Sequence, residues 1–292
     1  MSKKNNTTKT TVVPIRASLD SLTMSFGIDK VVIDLDEKFR SDTILNKPKI
    51  KLAKKRIGYD RAVKVDDWLT FVYQGGTEYF YRIIAKGGDF NRYNQFESAL
   101  SALVPKKSWN RYTINDIEYK IDFRGLPFNE VSSHLYVAGK KTLHRIVDRG
   151  IDTTKYFGQK PIVQVLYDKE RESGQVQHQG ISRFETRYNG YVLGEEWTRK
   201  LSDLRAISLS EDFNPFQNVF YLDYELNDSS CCRCKIFRAL TEIVGFQRAR
   251  AYFNQNRNFA REKKTLFTNY SETCLGDFYH SEMRKYFEKQ GE

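Results

Sequence analysis

Apolar positions recur with a period near two through the first two-thirds of the chain and with a longer, helical period after it. Ser21 to Ile28, Lys30 to Asp36, Trp68 to Gln74 and Glu78 to Ala85 predict strands. Gly75-Gly76-Thr77 joins the last two and predicts a hairpin. Phe96, Leu100 and Leu103 place a helix over Asn94 to Leu103, and Thr113 to Phe123 (TINDIEYKIDF) returns to strand. Phe128 to Val147 is mixed and partly helical. Two further strand runs end in charge, one closing on Tyr167-Asp168-Lys169 and one running from Ile181 to Tyr188. Beyond Tyr188, Trp197, Leu201 and Leu204 predict a helix over Glu195 to Ser208, and Leu240, Ile243, Val244 and Gln247 predict one over Phe237 to Phe253. The expected fold class is α+β, an antiparallel sheet with flanking helices followed by a helical C-terminal region. It divides into a flexible basic arm (1–14), a sheet domain carrying the chemistry (15–192) and a helical basic region (193–292).

Alternation also sorts the charges. In ISRFETRY, Arg183, Glu185 and Arg187 share one face while Phe184 points to a core. In TINDIEYKIDF, Asp116, Glu118, Lys120 and Asp122 oppose Ile117, Tyr119, Ile121 and Phe123. Glu118 and Asp122 lie about 13 Å apart along a strand, too far for one ion to bridge without a bulge. A divalent ion would therefore take one of them plus a ligand from a neighbouring strand, and Glu185 is the natural partner if the two strands are adjacent. Carboxylate oxygens suit Mg²⁺ or Mn²⁺, which leave positions for phosphate oxygens. The competing reading is a solvated strand face of alternating charge. A carboxylate between two arginines, near a tyrosine-bearing strand, suits handling of a phosphodiester. A tyrosine phenolate can attack phosphorus, but with an ordinary pKa near 10 it needs a base or a metal to help.

The 292 residues are 40% hydrophobic and 14% aromatic, enough for a sizeable core, and the 20 Phe and 18 Tyr lean toward sheet. A net charge of +11 favours a polyanionic partner. The C-terminal helices concentrate that charge in Arg233, Lys235, Arg238, Arg248, Arg250, Arg257, Arg261, Lys263 and Lys264. Cys231, Cys234, Cys274 and His280 could supply a zinc site, but Cys-Cys-Arg-Cys is compressed for paired knuckles, and free thiols are the simpler reading. Without a disulfide framework the chemistry fits a reducing cytoplasm. The polar start MSKKNNTTKTTVV does not read as a secretory signal, and no run of about 18 apolar residues predicts a membrane span.

The order of these motifs resembles a known family. Leu19-Asp20-Ser21-Leu22-Thr23, the I-x-E-Y-x-I-D-F strand, Tyr156-Phe157-Gly158, Tyr167-Asp168-Lys169 and Arg183-Phe184-Glu185 together resemble rolling-circle replication initiators. The type is the trans-acting Rep proteins of plasmids and filamentous phages, related to the HUH nucleases, and the resemblance covers residues 16 to 190. It implies a five-stranded antiparallel sheet, recognition of double-stranded origin DNA, nicking of one strand through a tyrosine, a 5′-phosphotyrosine link and later rejoining. Single-stranded DNA and a host helicase are implied partners, and a homodimer stays open. Carried over, Glu118, Asp122 and Glu185 become metal ligands, Tyr167 the nucleophile, and Lys169 and Arg183 its catalytic cations. Tyr156, Tyr188 and Tyr191 stay open as nucleophiles, and Arg238, Arg248, Arg250, Arg257, Arg261, Lys263 and Lys264 are the candidate DNA contacts. Two departures stand out. His134, His144, His178 and His280 form no His-hydrophobe-His pair, so the ligands must be acidic, and Ile114-Asn115-Asp116 replaces an expected arginine. The alternative is a non-catalytic, sequence-specific DNA-binding initiator or repressor, which needs no metal.

Overall fold

Two stretches read as separate strands form one. β1 (Thr23–Leu35) runs unbroken through Asp29, but its pairing slips there. The computed structural model describes residues 23–35, 51–52, 59–66, 69–75, 81–86, 90, 92–140, 142–148, 151–159, 161–189, 200–227, 231–256 and 259–288. After β1 come β2 (Lys51–Leu52), β3 (Tyr59–Asp66), β4 (Leu69–Gly75), β5 (Tyr81–Lys86), α1 (Tyr93–Ser101) and β6 (Thr113–Arg124). Then follow α2 (Phe128–His134), β7 (Leu135–Val137), β8 (Thr142–Asp148), β9 (Ile151–Phe157), β10 (Ile162–Asp168), α3 (Lys169–Ser173) and β11 (Ile181–Asn189). The C-terminal part holds α4 (Leu204–Leu209), β12 (Val219–Leu226), α5 (Cys232–Val244), α6 (Phe246–Asn256), α7 (Phe259–Leu266), β13 (Phe267–Cys274) and α8 (Gly276–Phe287).

Among the described residues the main sheet is antiparallel and ten-stranded, in the order β2-β3-β4-β5-β1-β6-β11-β10-β9-β8. It exceeds the five strands implied by resemblance, because β2–β5 extend it beyond β1 and β9–β8 extend it beyond β10. The predicted hairpin is β4 paired with β5, and its connecting residues lie outside the described set.

Ile28 pairs with Tyr119 and Lys30 with Glu118, so Asp29 is the extra residue of a β-bulge. The bulge switches the side-chain parity of β1. Phe26 and Ile28 before it, and Val31, Ile33 and Leu35 after it, all enter the same core with Ile117, Tyr119, Ile121, Phe123, Leu166 and Phe184. Phe96 and Leu100 of α1 join them from a helix predicted at that place. At roughly 2 kcal/mol for each large apolar side chain buried, this core fixes the register of the central strands.

α8 packs against β1. A side chain at Gly27 would meet the Tyr286 ring at 3.1 Å and Lys120 at 3.3 Å, so glycine lets the helix approach the strand.

The second part is less helical than expected. β12 and β13 form a three-stranded sheet with β7, in the order β13-β12-β7. The single helix expected over Phe237 to Phe253 is two, broken at Gly245, whose φ of +80° admits glycine readily and side chains poorly. Phe237, Phe246, Phe253, Phe259 and Phe267 pack into a core of their own. Of the helix expected over Glu195 to Ser208, residues 195–199 lie outside the described set, and the rest is a 3₁₀ turn (Leu201–Asp203) followed by α4. The expected arm, 1–14, also lies outside it. Among the described residues no helix is long and apolar enough to cross a membrane.

Candidate metal centre

β1, β6 and β11 are neighbours, and on one face they bring Asp29, Glu118 and Glu185 together. Each offers a carboxylate oxygen within 4.8 Å of the other two. Adjacency of β6 and β11, the condition set for Glu185 to partner Glu118, is met. Asp29 completes the group because the bulge turns it and Lys30 toward the same face. Its sequence signal is the apolar parity of β1, which flips from even to odd positions between Ile28 and Val31.

Asp122 does not join them. It is bound by Arg183 through Nε at 2.5 Å and Nη2 at 3.0 Å, and by Lys120 at 2.8 Å. Burial would raise its pKa, but Lys120 and Arg183 outweigh that and hold it at about 2. Arg183 also donates to Asp29. With its guanidinium committed to two carboxylates and its side chain 1% exposed, Arg183 clamps the cluster from beneath. Arg187 is the more open arginine, 36% exposed, donating to Glu185 at 2.6 and 2.8 Å and lying 3.7 Å from Glu118. Lys30 donates to Glu118 on the other side.

Three carboxylates in this space repel one another. Burial first, and then the charge of Asp29, push Glu185 up to about 7, against the pull of Arg187. Asp29 moves the other way, because Arg183, Lys120 and Lys169 overcome the cost of burying it. Tyr167 donates its hydroxyl proton to Glu185. Burial, Glu185 and Asp29 raise that phenol well above 10. Lys169 lies 5.6 Å from the Tyr167 ring centroid and pairs with Glu172 at 2.9 Å.

The other tyrosines separate by face. Tyr156 pairs with Val165, which pairs with Glu185, so it shares the cluster's face two strands away, about 10 Å across the sheet. Tyr188 pairs with Ile117 and packs its ring on Tyr119 and Phe213, on the core face. Tyr191 lies outside the described residues.

The donor set fits a hard divalent cation. Octahedral coordination at about 2.1 Å places ligand oxygens about 3 to 4.2 Å apart, so the side chains need to close by less than about 2 Å. Three acidic ligands would leave positions for water and phosphate oxygens. Among the described residues this is the one grouping of three or more His, Cys, Asp or Glu with metal-holding geometry, and Cys231, Cys234, Cys274 and His280 do not assemble into another.

The C-terminal cations divide. Arg250 reaches Glu272 at 3.0 Å and Tyr270 at 3.2 Å and lies 4.0 Å over the Tyr136 ring. Lys263 reaches the same Glu272 oxygen at 2.9 Å. Arg238 donates to the Asn227 carbonyl. Arg248, Arg261 and Lys264 are exposed, and Arg257 lies outside the described residues.

No known family model matches the chain, and no curated protein matches it in sequence. Among solved structures it is similar to a rolling circle replication initiator protein from Geobacillus stearothermophilus. The TM-score is 0.40 with 12% identity, covering 71% of this chain and 90% of that one. A likeness so distant assigns no activity, and function has to be read from the residues themselves.

Proposed function

We propose that this protein cuts a phosphodiester bond in DNA with Mg²⁺ or Mn²⁺ held by Asp29, Glu118 and Glu185. More particularly, it is a replication initiator of the rolling-circle type, which nicks an origin strand, stays joined to its 5′ end and later reseals it. The observation that carries the reading is the convergence of three carboxylates from adjacent strands beside a tyrosine hydroxyl and an open arginine. When bound, the ion would polarise the phosphate and offset charge on the departing oxygen. Tyr167 supplies the nucleophile: its oxygen bonds to phosphorus, the P–O bond to the 3′ oxygen breaks, and the phenolic proton, held in the hydrogen bond to Glu185, ends on the departing 3′ oxygen. Arg187 steadies the extra charge on the phosphate oxygens. Arg183 and Asp122 position Asp29, and Lys169 lowers the cost of charge at the tyrosine. Arg238, Arg248, Arg261 and Lys264 would contact duplex phosphates.

A second reading has one observation in its favour. Lys30, Lys120, Arg183 and Arg187 already balance Asp29, Glu118, Asp122 and Glu185, so the network could close without a metal in a DNA-binding initiator that does not cut.

Incubation with supercoiled plasmid carrying the cognate replicon and Mn²⁺ separates them. Nicking reads out as open circles bearing covalently attached protein. Asp29→Asn and Glu118→Gln are expected to reduce it by about 10²-fold or more. Tyr167→Phe should abolish the adduct, while Tyr156→Phe and Tyr188→Phe should keep it. An adduct lost in Tyr156→Phe alone moves the nucleophile two strands over. Tight origin binding without nicking under either metal leaves the second reading.

A further inference from the structure

The carboxylate cluster opens on one side. Arg183 beneath it is 1% exposed, whereas Lys30 is 29% exposed and Arg187 36%. The strand registers carry that opening across the sheet. Arg187 pairs with Glu118, Glu118 with Lys30, and Lys30 with Lys86, on four adjacent strands. These four positions therefore share a face and form a line with steps of about 4.8 Å. Two residues along, Val32, Ile84, Thr70 and Lys64 pair in succession, so Lys64 occupies the same face farther out. From Lys86 to Lys64 is two strands and one pleat repeat, about 12 Å.

One directly opposed lysine pair, Lys30 with Lys86, is costly in a sheet, because like charges face each other across strands. Lysine near a sheet edge also blocks unwanted strand pairing. It does not account for Lys86, four strands in and opposite another lysine. Lys64 and Lys86 are both exposed, and among the described residues no carboxylate pairs with either. A row of phosphates laid across the face would turn this repulsion into attraction.

We propose that this face binds a single strand of DNA by its phosphates along Arg187, Lys30, Lys86 and Lys64, leading it to the carboxylate cluster. The inference rests on the DNA reading of that cluster and adds to it a direction, outward from β11 toward β3. The side chains supply charge without base edges, so binding along the row is indifferent to sequence.

Fluorescence anisotropy with a labelled single strand of about 20 nucleotides, in EDTA and over a series of KCl concentrations, tests it apart from nicking. The double variant Lys64→Glu/Lys86→Glu should weaken binding about tenfold or more, and Lys64→Ala/Lys86→Ala should flatten the salt slope by about 1.4, or 0.7 per lost phosphate contact. Lys107→Glu is the control, on the 3₁₀ turn Lys106–Arg111 whose Trp109 enters the opposite-face core. Circular dichroism confirms folding of each variant. Binding and salt slope in both double variants equal to the control overturn the proposal. So does a wild type that fails to bind a single strand at low salt, or a loss confined to duplex. A weakened single-strand affinity in a protein that never nicks keeps the track and overturns the cutting reaction alone.

Discussion

Two ion networks sit on the two sheets and resolve charge in opposite ways. On the main sheet, Asp29, Glu118 and Glu185 crowd within 4.8 Å of one another, and Glu185 is driven up to about 7. On the small sheet a single carboxylate, Glu272, is shared by Arg250, Lys263 and the Tyr270 hydroxyl. Burial would raise its pKa, but Tyr270, Lys263 and Arg250 outweigh it, so Glu272 is lowered. In one network three acids crowd at a point, although Lys30, Lys120, Arg183 and Arg187 match the acids around it in number. The other has its acid saturated by cations and aromatic faces. Crowded acids mark a place with use for another cation, and a saturated acid marks a joint. By that distinction Arg250 and Lys263 tie β13 to α6 and α7, and a share of the C-terminal positive charge is spent on structure.

The largest expected effect comes from removing the clamp under the crowded network. Arg183→Leu leaves Asp122 and Asp29 buried without their shared guanidinium, and breaking a buried pair costs about 3 to 5 kcal/mol. Chemical denaturation in EDTA should show that loss, and Arg250→Leu should cost much less, since its ring contacts are replaced by apolar ones. Equal losses would erase the contrast between the two networks.

The contrast was partly legible in sequence. Alternation in TINDIEYKIDF and ISRFETRY placed Glu118 and Glu185 on charged faces, and their strands proved adjacent because both bury their other face in the same core. Asp122 looks equivalent to Glu118 in sequence. What separates them is pairing, since Asp122 stands opposite Arg183 while Glu118 stands opposite Arg187 and Lys30. Cross-strand register is a tertiary property that no single strand encodes. Asp29 was hidden because a bulge reads as a gap between two strands. β3 and β13, YDRAVKVD and FTNYSETC, carry too few apolar residues to signal strands and are held by pairing.

A smaller effect should appear in the pH dependence of stability without metal. Glu185 titrates near 7 in the folded chain against an ordinary 4.5, so between those values the folded state holds a proton that the unfolded state has lost. Its contribution is fully present below 4.5 and is lost as pH rises through about 7. Asp122, held at about 2 against 3.8, acts in reverse: its contribution is present above 3.8 and lost as pH falls through about 2. The window between 4.5 and 7 is thus governed by Glu185. In EDTA the wild-type unfolding free energy, read by chemical denaturation, should fall between about pH 5 and about pH 7.5 by more than that of Glu185→Gln, the difference being on the order of 1 to 3 kcal/mol. Parallel curves would mean that burial and the neighbouring Asp29 do not hold a proton on Glu185.

The smallest effect belongs to the saturated acid. Glu272→Gln keeps an oxygen to accept from Tyr270 and removes only charge. Its side chain is 23% exposed, so solvent screens the lost attraction to Arg250 and Lys263. Both cations also keep their ring contacts, Arg250 at 4.0 Å from the Tyr136 centroid and Lys263 at 4.3 Å from that of Tyr270. The expected loss is about 1 kcal/mol or less in denaturation. Melting curves with and without Mn²⁺ supply the sharper comparison. Glu272→Gln should keep whatever stabilisation Mn²⁺ gives the wild type, and Glu118→Gln should lose it. If Glu272→Gln loses it as well, the small sheet is no mere joint, and a cation bound there would have to be counted beside the one proposed for Asp29, Glu118 and Glu185.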